Sequence, residues 1–233
     1  MLFGQVLPGL AAFRLPIPLG GTSNHFRVSA LEHVGGWDPY NVTEDADLGI
    51  RLARFGFTTG VLDSITYEEA NGELRNWINQ RARWLKGFLQ TWLVHSRQPA
   101  RLIQDLGVAG FLVALCSTFS IVIASLLYPV FLILAASLVL VGTLNLQSIP
   151  HAAALGTAFA VSVLGYGFAG YGGYHALRRK GISGRFGTLI TMPAYWLLMS
   201  VAAWLGLWQF ATRPFHWNKT RHGLSALQRT KPK

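Results

Sequence analysis

LGVAGFLVALCSTFSIVIASLLYPVFLILAASLVLV, residues Leu106 to Val141, opens a run of 72 residues without one Asp, Glu, Lys or Arg. The run ends only at Arg178. A helix needs roughly 20 apolar residues to cross a bilayer, so this stretch holds up to three crossings. Segments near 107–127, 129–146 and 152–174 fit, with Pro129 and the polar turn from Asn145 to His151 as breaks. A fourth segment, Thr188 to Thr212, follows the basic loop Arg178 to Arg185, and its Trp and Tyr content suits the headgroup level.

Outward from this run the charge is uneven. Of 233 residues 51% are hydrophobic and 13% charged, against about a quarter charged in soluble domains. All ten acids lie between Glu32 and Asp105, and ten Lys and Arg within the first 105 residues balance them. The other ten cations follow Leu177 and supply the whole net charge of +10. Two regions with two solvents are implied: a mixed-charge soluble part over 1–105, and a membrane part over 106–212. Residues 213–233 form a basic tail. Cations that flank apolar spans are topology signals and meet anionic lipid, so the basic balance does not point to nucleic acid. The single cysteine, Cys116, excludes an internal disulfide framework.

The soluble part begins with loops and short apolar pieces around Pro8, Pro16 and Pro18. Gly35-Gly36-Trp37-Asp38-Pro39 reads as a turn. The spacing predicts a helix from Glu44 to Phe55, with Thr43 at the N-cap, Glu44, Asp45 and Asp47 in the first turn, and Gly56 as the stop. Residues 57–66 read as one short strand or two fragments. A longer amphipathic helix is predicted from about Glu73 to His95, its apolar stripe carrying Trp77, Ile78, Trp84, Leu85, Phe88 and Trp92. Such a helix, just ahead of the spans, suits the membrane surface. In the membrane part Gly165, Ala169 and Gly173 give a smooth ridge for helix packing.

Two short motifs carry the chemistry. Thr43-Glu44-Asp45 follows the Gly35–Asp38 turn, and Gln80-Arg81-Ala82-Arg83-Trp84 lies on the amphipathic helix. Taken singly, each has an ordinary reading: first-turn acids, a solvated cation, a packed indole. Glycosyl transfer from a nucleotide sugar needs a base, cations on the leaving diphosphate and an aromatic face for the acceptor. Asp45, Arg83 and Trp84 are those three types. Gln80, Arg83 and Trp84 are three and four apart, and so share one helical face.

On these motifs the chain resembles the C-terminal part of processive family 2 glycosyltransferases, the group of cellulose synthases and related β-glycan synthases. Gly20-Gly21-Thr22-Ser23-Asn24 is loosely similar to the family's acceptor loop, and Pro214 to Gly223 to its juxtamembrane tail. The resemblance implies a partial α/β GT-A (Rossmann-like) domain followed by an all-α transmembrane region of three or four helices. Asp45 would be the catalytic base of an inverting transfer, and Thr43 and Glu44 would position it. Gln80, Arg81 and Arg83 would bind substrate, with Gln80 and Arg83 on the diphosphate, while Trp84 stacks on the acceptor. Expected partners are a nucleotide sugar such as a UDP-hexose, a polysaccharide acceptor and the lipid bilayer of a bacterial inner (plasma) membrane.

The family's nucleotide-binding half does not occur in this sequence and no Asp-x-Asp lies upstream of Thr43; Asp45-Ala46-Asp47 has that pattern, but Asp47 reads as first-turn charge of the helix. The chain is therefore expected to be a fragment, inactive alone. The divalent metal (Mg or Mn) of a complete enzyme would have no ligands here. The rival reading from another class is a non-enzymatic membrane scaffold or export-channel subunit. Topology stays open: four spans with a cytosolic tail would leave Arg178 to Arg185 outside, against the positive-inside rule. A re-entrant or interfacial segment would bring that loop inside.

Overall fold

A computed structural model describes residues 2–64, 66, 68–142, 149–179, 181 and 183–217. Among them every regular element is helical. A π-helical turn, Leu2–Val6, leads into α1 (Leu7–Ala12), followed by α2 (Val28–His33), α3 (Glu44–Arg54) and α4 (Leu74–His95). Next come α5 (Pro99–Ala114), a π-helical stretch Leu115–Ser120 and α6 (Ile121–Gly142). The last elements are α7 (Ile149–Arg179), a 3₁₀ segment Ser183–Thr191 and α8 (Met192–Thr212).

This overturns the expected α/β GT-A fold. No strand occurs among the described residues, and those of the stretch predicted as strand, 57–64 and 66, form no β ladder. The physical reason is pairing: an extended segment becomes a strand only against a second one, and a hairpin by itself is marginal at best. The helical expectations fare differently, because a helix satisfies its own backbone. α3 stops where Gly56 takes φ +81°, a conformation that favours glycine. Thr43 precedes α3 as expected but makes no capping bond through its side chain.

Three helical stretches are long and apolar enough to cross a membrane: Pro99–Ser137, Ala152–Arg179 and Gly187–Thr212. The chain is thus a multi-span membrane protein. The break expected at Pro129 is absent, for α6 runs through it. The ring removes only the bond to the Ser125 carbonyl, and such a loss is tolerated where neighbouring helices pack. The 39 residues of Pro99–Ser137 would extend about 58 Å at 1.5 Å each, nearly twice a ~30 Å hydrocarbon core. Gly107 (φ 68°, ψ 169°) breaks the helical path near its start. The expected turn at Asn145–His151 falls largely outside the described residues, as does the tail beyond Trp217.

The centre of the molecule is the crossing of α4, α6 and α8. Ala82 and Leu85 of α4 pack with Val122 and Leu126 of α6 and with Ala202 and Ala203 of α8. Lipid tails are as apolar as leucine, so helices there associate through close backbone approach and dispersion. Gly206 meets this need: a Cβ built on it would lie 2.7 Å from the Ala82 carbonyl oxygen. A second, smaller core holds Val34, Leu48 and Leu52 beneath α2 and α3. Gly49 lets the Ile17 backbone lie directly on α3, since a Cβ there would clash with the Ile17 carbonyl.

Candidate functional site

The two motifs meet where α3 begins against the middle of α4. Gly87 makes the meeting possible, because a Cβ on it would run into the Thr43 side chain. Asn41 folds back to accept from the Thr43 amide (3.0 Å) and donates its own amide to Thr91 Oγ1 (2.8 Å). Gln90 Oε1 accepts from the Val42 amide (3.3 Å). The start of α3 is therefore fixed to α4 by buried polar bonds, which are costly to leave unmade.

Asp45 is half-buried. The Trp37 indole donates to its Oδ1 at 3.0 Å, and its Oδ2 sits 3.1 Å from where a Gly21 Cβ would be. The Gly20–Asn24 loop and the Gly35–Asp38 turn thus both reach this carboxylate.

The Gln80–Trp84 segment divides its side chains between directions. Arg81 stacks over Trp84 (4.1 Å to the ring centroid) and Trp77 (5.3 Å). Burial pushes its guanidinium down from the usual arginine value, and Tyr195 opposes that shift. Arg83 turns to the other side, over Trp217 at 5.5 Å. Burial lowers its pKa as well, while the charge of Glu44 raises it. Gln80 is half-buried on α4. Arg83 and Glu44 are brought together; the Arg81–Trp84 pair is a separate aromatic–cation ledge. The single shared face expected from the spacing splits in two.

Several residues that the motifs did not reveal shape this region. Lys86, 1% exposed, donates to the His216 carbonyl (2.6 Å) and the Arg213 carbonyl (3.4 Å) just past α8. Its burial, and then the charge of Arg83, push its pKa down. Gln90 donates to the Pro214 carbonyl at 3.0 Å. These bonds tie α4 to the C-terminal end of α8, where carbonyls lack intrahelical donors. Asp47 stands in the first turn of α3 as expected, and it is buried and forms an ion pair with Arg51. Its Oδ1 lies 2.9 Å from His95 Nε2, while His95 Nδ1 lies 3.1 Å from Arg54 Nη1. A guanidinium only donates, so Nδ1 accepts and Nε2 carries the proton offered to Asp47. Arg54 also pairs with Asp105 at 2.8 Å, which joins α3, α4 and α5. The one sequence signal for this network was the i, i+4 spacing of Asp47 and Arg51.

The chain belongs to the glycosyl transferase family group 2, whose profile matches residues 7–217. It is similar to the "Probable glycosyltransferase YdaM" of Bacillus subtilis (strain 168), 35% identical over 68 residues, 29% of this chain and 16% of that protein. It is 33% identical over 100 residues to the "Beta-monoglucosyldiacylglycerol synthase" of Synechocystis sp., covering 40% of this chain and 21% of that protein. A third likeness is to the "Cellulose synthase catalytic subunit [UDP-forming]" of Komagataeibacter sucrofermentans, 33% identical over 82 residues, 35% of this chain and 11% of that protein. The chain thus spans about a fifth or less of the length of these relatives. No solved structure matches it.

Membership does not bring the expected domain. The motif-based resemblance to the C-terminal part of a GT-A domain is corrected by the fold, which has no strand among the described residues. Among the described residues no three of His, Cys, Asp and Glu gather as a metal site requires. The two nearest carboxylates are turned apart, Asp45 to Trp37 and Asp47 to His95 and Arg51. The described residues do not by themselves fit a Mg or Mn ion. The reading of these 233 residues as a hexosyltransferase, with a nucleotide sugar and a polysaccharide acceptor as partners, is overturned on the same grounds. The lipid bilayer remains.

Proposed function

We propose that this chain is a non-enzymatic membrane scaffold, multi-pass in a bacterial inner (plasma) membrane, that holds an amphipathic platform at the membrane edge. The observation that carries this reading is the clamp between α4 and α8. Gly206 lies against the Ala82 carbonyl, and Lys86 and Gln90 bond the carbonyls of Arg213, His216 and Pro214. A helix fastened this way to an apolar helix is a fixed shelf, and α3 is fastened to it in turn. On the shelf, Thr43, Glu44, Asp45, Gln80, Arg81, Arg83 and Trp84 are the residues offered to a protein partner assembled on the membrane. The bacterial sources of the three relatives support the inner-membrane placement.

The test is turnover by the full chain, purified and placed in lipid nanodiscs with nucleotide hexoses and Mg or Mn. The scaffold reading expects no nucleoside diphosphate release above that of empty discs. Release that disappears on Asp45→Asn would defeat it.

A further inference from the structure

Four arginines are half-buried among the described residues: Arg51, Arg54, Arg81 and Arg83. Burying a guanidinium is costly unless an anion and hydrogen-bond acceptors accompany it. Three of the four have that company. Arg51 pairs with Asp47, Arg54 pairs with Asp105 at 2.8 Å, and the charge of Glu44 supports Arg83. Arg81 stands apart. It makes no ion pair or hydrogen bond with any described residue, and its Nε is buried without an acceptor. Its titratable neighbour is a phenol, Tyr195, rather than a carboxylate. No acid occurs between Glu73 and Asp105, nor anywhere after Asp105, so α4, α6, α7 and α8 supply none.

What surrounds Arg81 is aromatic and apolar. Leu74, Trp77, Arg81 and Trp84 recur at i, i+3, i+7 and i+10, and so share one face of α4. The guanidinium lies 4.1 Å from the ring centroid of Trp84 and 5.3 Å from that of Trp77. Indole faces attract the cation and fix its plane, but they offer no oxygen to its N–H groups. Trp77 in turn meets Tyr195, in the first turn of α8, at 5.4 Å. Leu74 is 56% exposed. A cation without an anion is thus set into an open apolar and aromatic face beside the start of a membrane helix.

We propose that this face of α4, centred on Arg81 between Trp77 and Trp84, binds the headgroup phosphate of an anionic phospholipid. The planar guanidinium matches two phosphate oxygens at once, and the phosphate supplies the charge that the chain does not. Leu74 and the indoles lie against the glycerol and the first acyl carbons. Charge complementarity calls for an oxyanion, and the apolar surround selects an amphiphile over free phosphate, which meets the cation alone. The site needs the bilayer and not the scaffold role, so turnover in the nanodisc assay would leave it standing. A bound headgroup becomes part of the surface that the shelf presents.

Native mass spectrometry of the full chain, released from detergent micelles holding dioctanoyl phosphatidylglycerol or dioctanoyl phosphatidylcholine, tests the site by counting bound lipids. The unaltered chain should retain phosphatidylglycerol in preference to phosphatidylcholine; equal retention overturns the proposal without recourse to any variant. Arg81→Gln should weaken phosphatidylglycerol retention by about tenfold or more, and Arg81→Lys, which keeps the charge but not the planar fork, by less. Arg75→Gln removes an exposed cation from the same helix and should leave retention unchanged. Equal losses in Arg75→Gln and Arg81→Gln would mean a diffuse attraction of a basic chain for acidic lipid, with no site at Arg81. Inorganic phosphate in excess should not displace the lipid, and displacement that depends on Arg81 would overturn the lipid as its source of phosphate.

Discussion

Asp47 is the residue on which the soluble side depends most. Burial alone would raise its carboxyl pKa, but hydrogen bonds from His95 and Arg51, with the Arg51 charge, outweigh burial and hold it below the ordinary aspartate value. A carboxyl depressed in the folded state adds stability above its unfolded value. That stability is lost as pH falls through the folded value. The stability of the α3–α4–α5 contact should therefore decline as pH falls through the ordinary aspartate range and go on declining below it, and an Asp47→Ala variant should lack this acid limb. The same variant strands the His95 N–H and the Arg51 charge, at a cost of about 3 kcal/mol. Denaturant titration followed by tryptophan fluorescence at neutral pH and at pH 3 checks both. Lys86→Met, by removing the donor to two carbonyls, should cost about 1–3 kcal/mol and free Trp217 near the end of α8. Of this only the i, i+4 spacing of Asp47 and Arg51 was legible in the sequence. The partners of Lys86 are 127 and 130 positions away, and helical periodicity reports only neighbours within a turn or two.

At the scale of elements, glycine positions separate contacts from open space. A Cβ on Gly206 meets the Ala82 carbonyl at 2.7 Å, whereas one on Gly170 meets nothing within 4 Å. Gly206→Val should thus separate α4 from α8 and cost about 1–3 kcal/mol, while Gly170→Ala should be neutral or stabilise by up to ~1 kcal/mol. Thermal unfolding in detergent, compared across the pair, reads the difference. The existence of α3, α4 and the apolar helices was legible from spacing and hydropathy because those signals are local. The strand at 57–66 was not decidable from its own residues, since a ladder depends on a second segment. Pro129 misled for a related reason. In water it would end a helix, and whether α6 continues depends on packing against α8 that the sequence does not display. The Gln80–Trp84 motif located the right helix but not its partners: Arg81 went to Trp77 and Trp84, and Arg83 to Glu44 and Trp217.

Across the whole molecule, family membership and function separate. The profile match over 7–217 follows the same motifs and apolar runs that the sequence made visible. The activity inferred from them required a sheet and a metal site, and the described residues supply helices and carboxylates turned apart. What they do form is a shelf clamped to the end of α8, and that clamp is the central claim. Near the start of α8 the same two helices meet again through Trp77 and Tyr195, whose rings lie 5.4 Å apart. With Trp77→Cys and Tyr195→Cys combined in a Cys116→Ser chain, a short flexible bis-maleimide added to native membranes should bridge the two within one molecule. The gel shift should be nearly complete and should weaken when Gly206→Val is added. Failure to cross-link, while both cysteines still react with a simple maleimide, would show that α4 does not rest on α8 and would contradict the account.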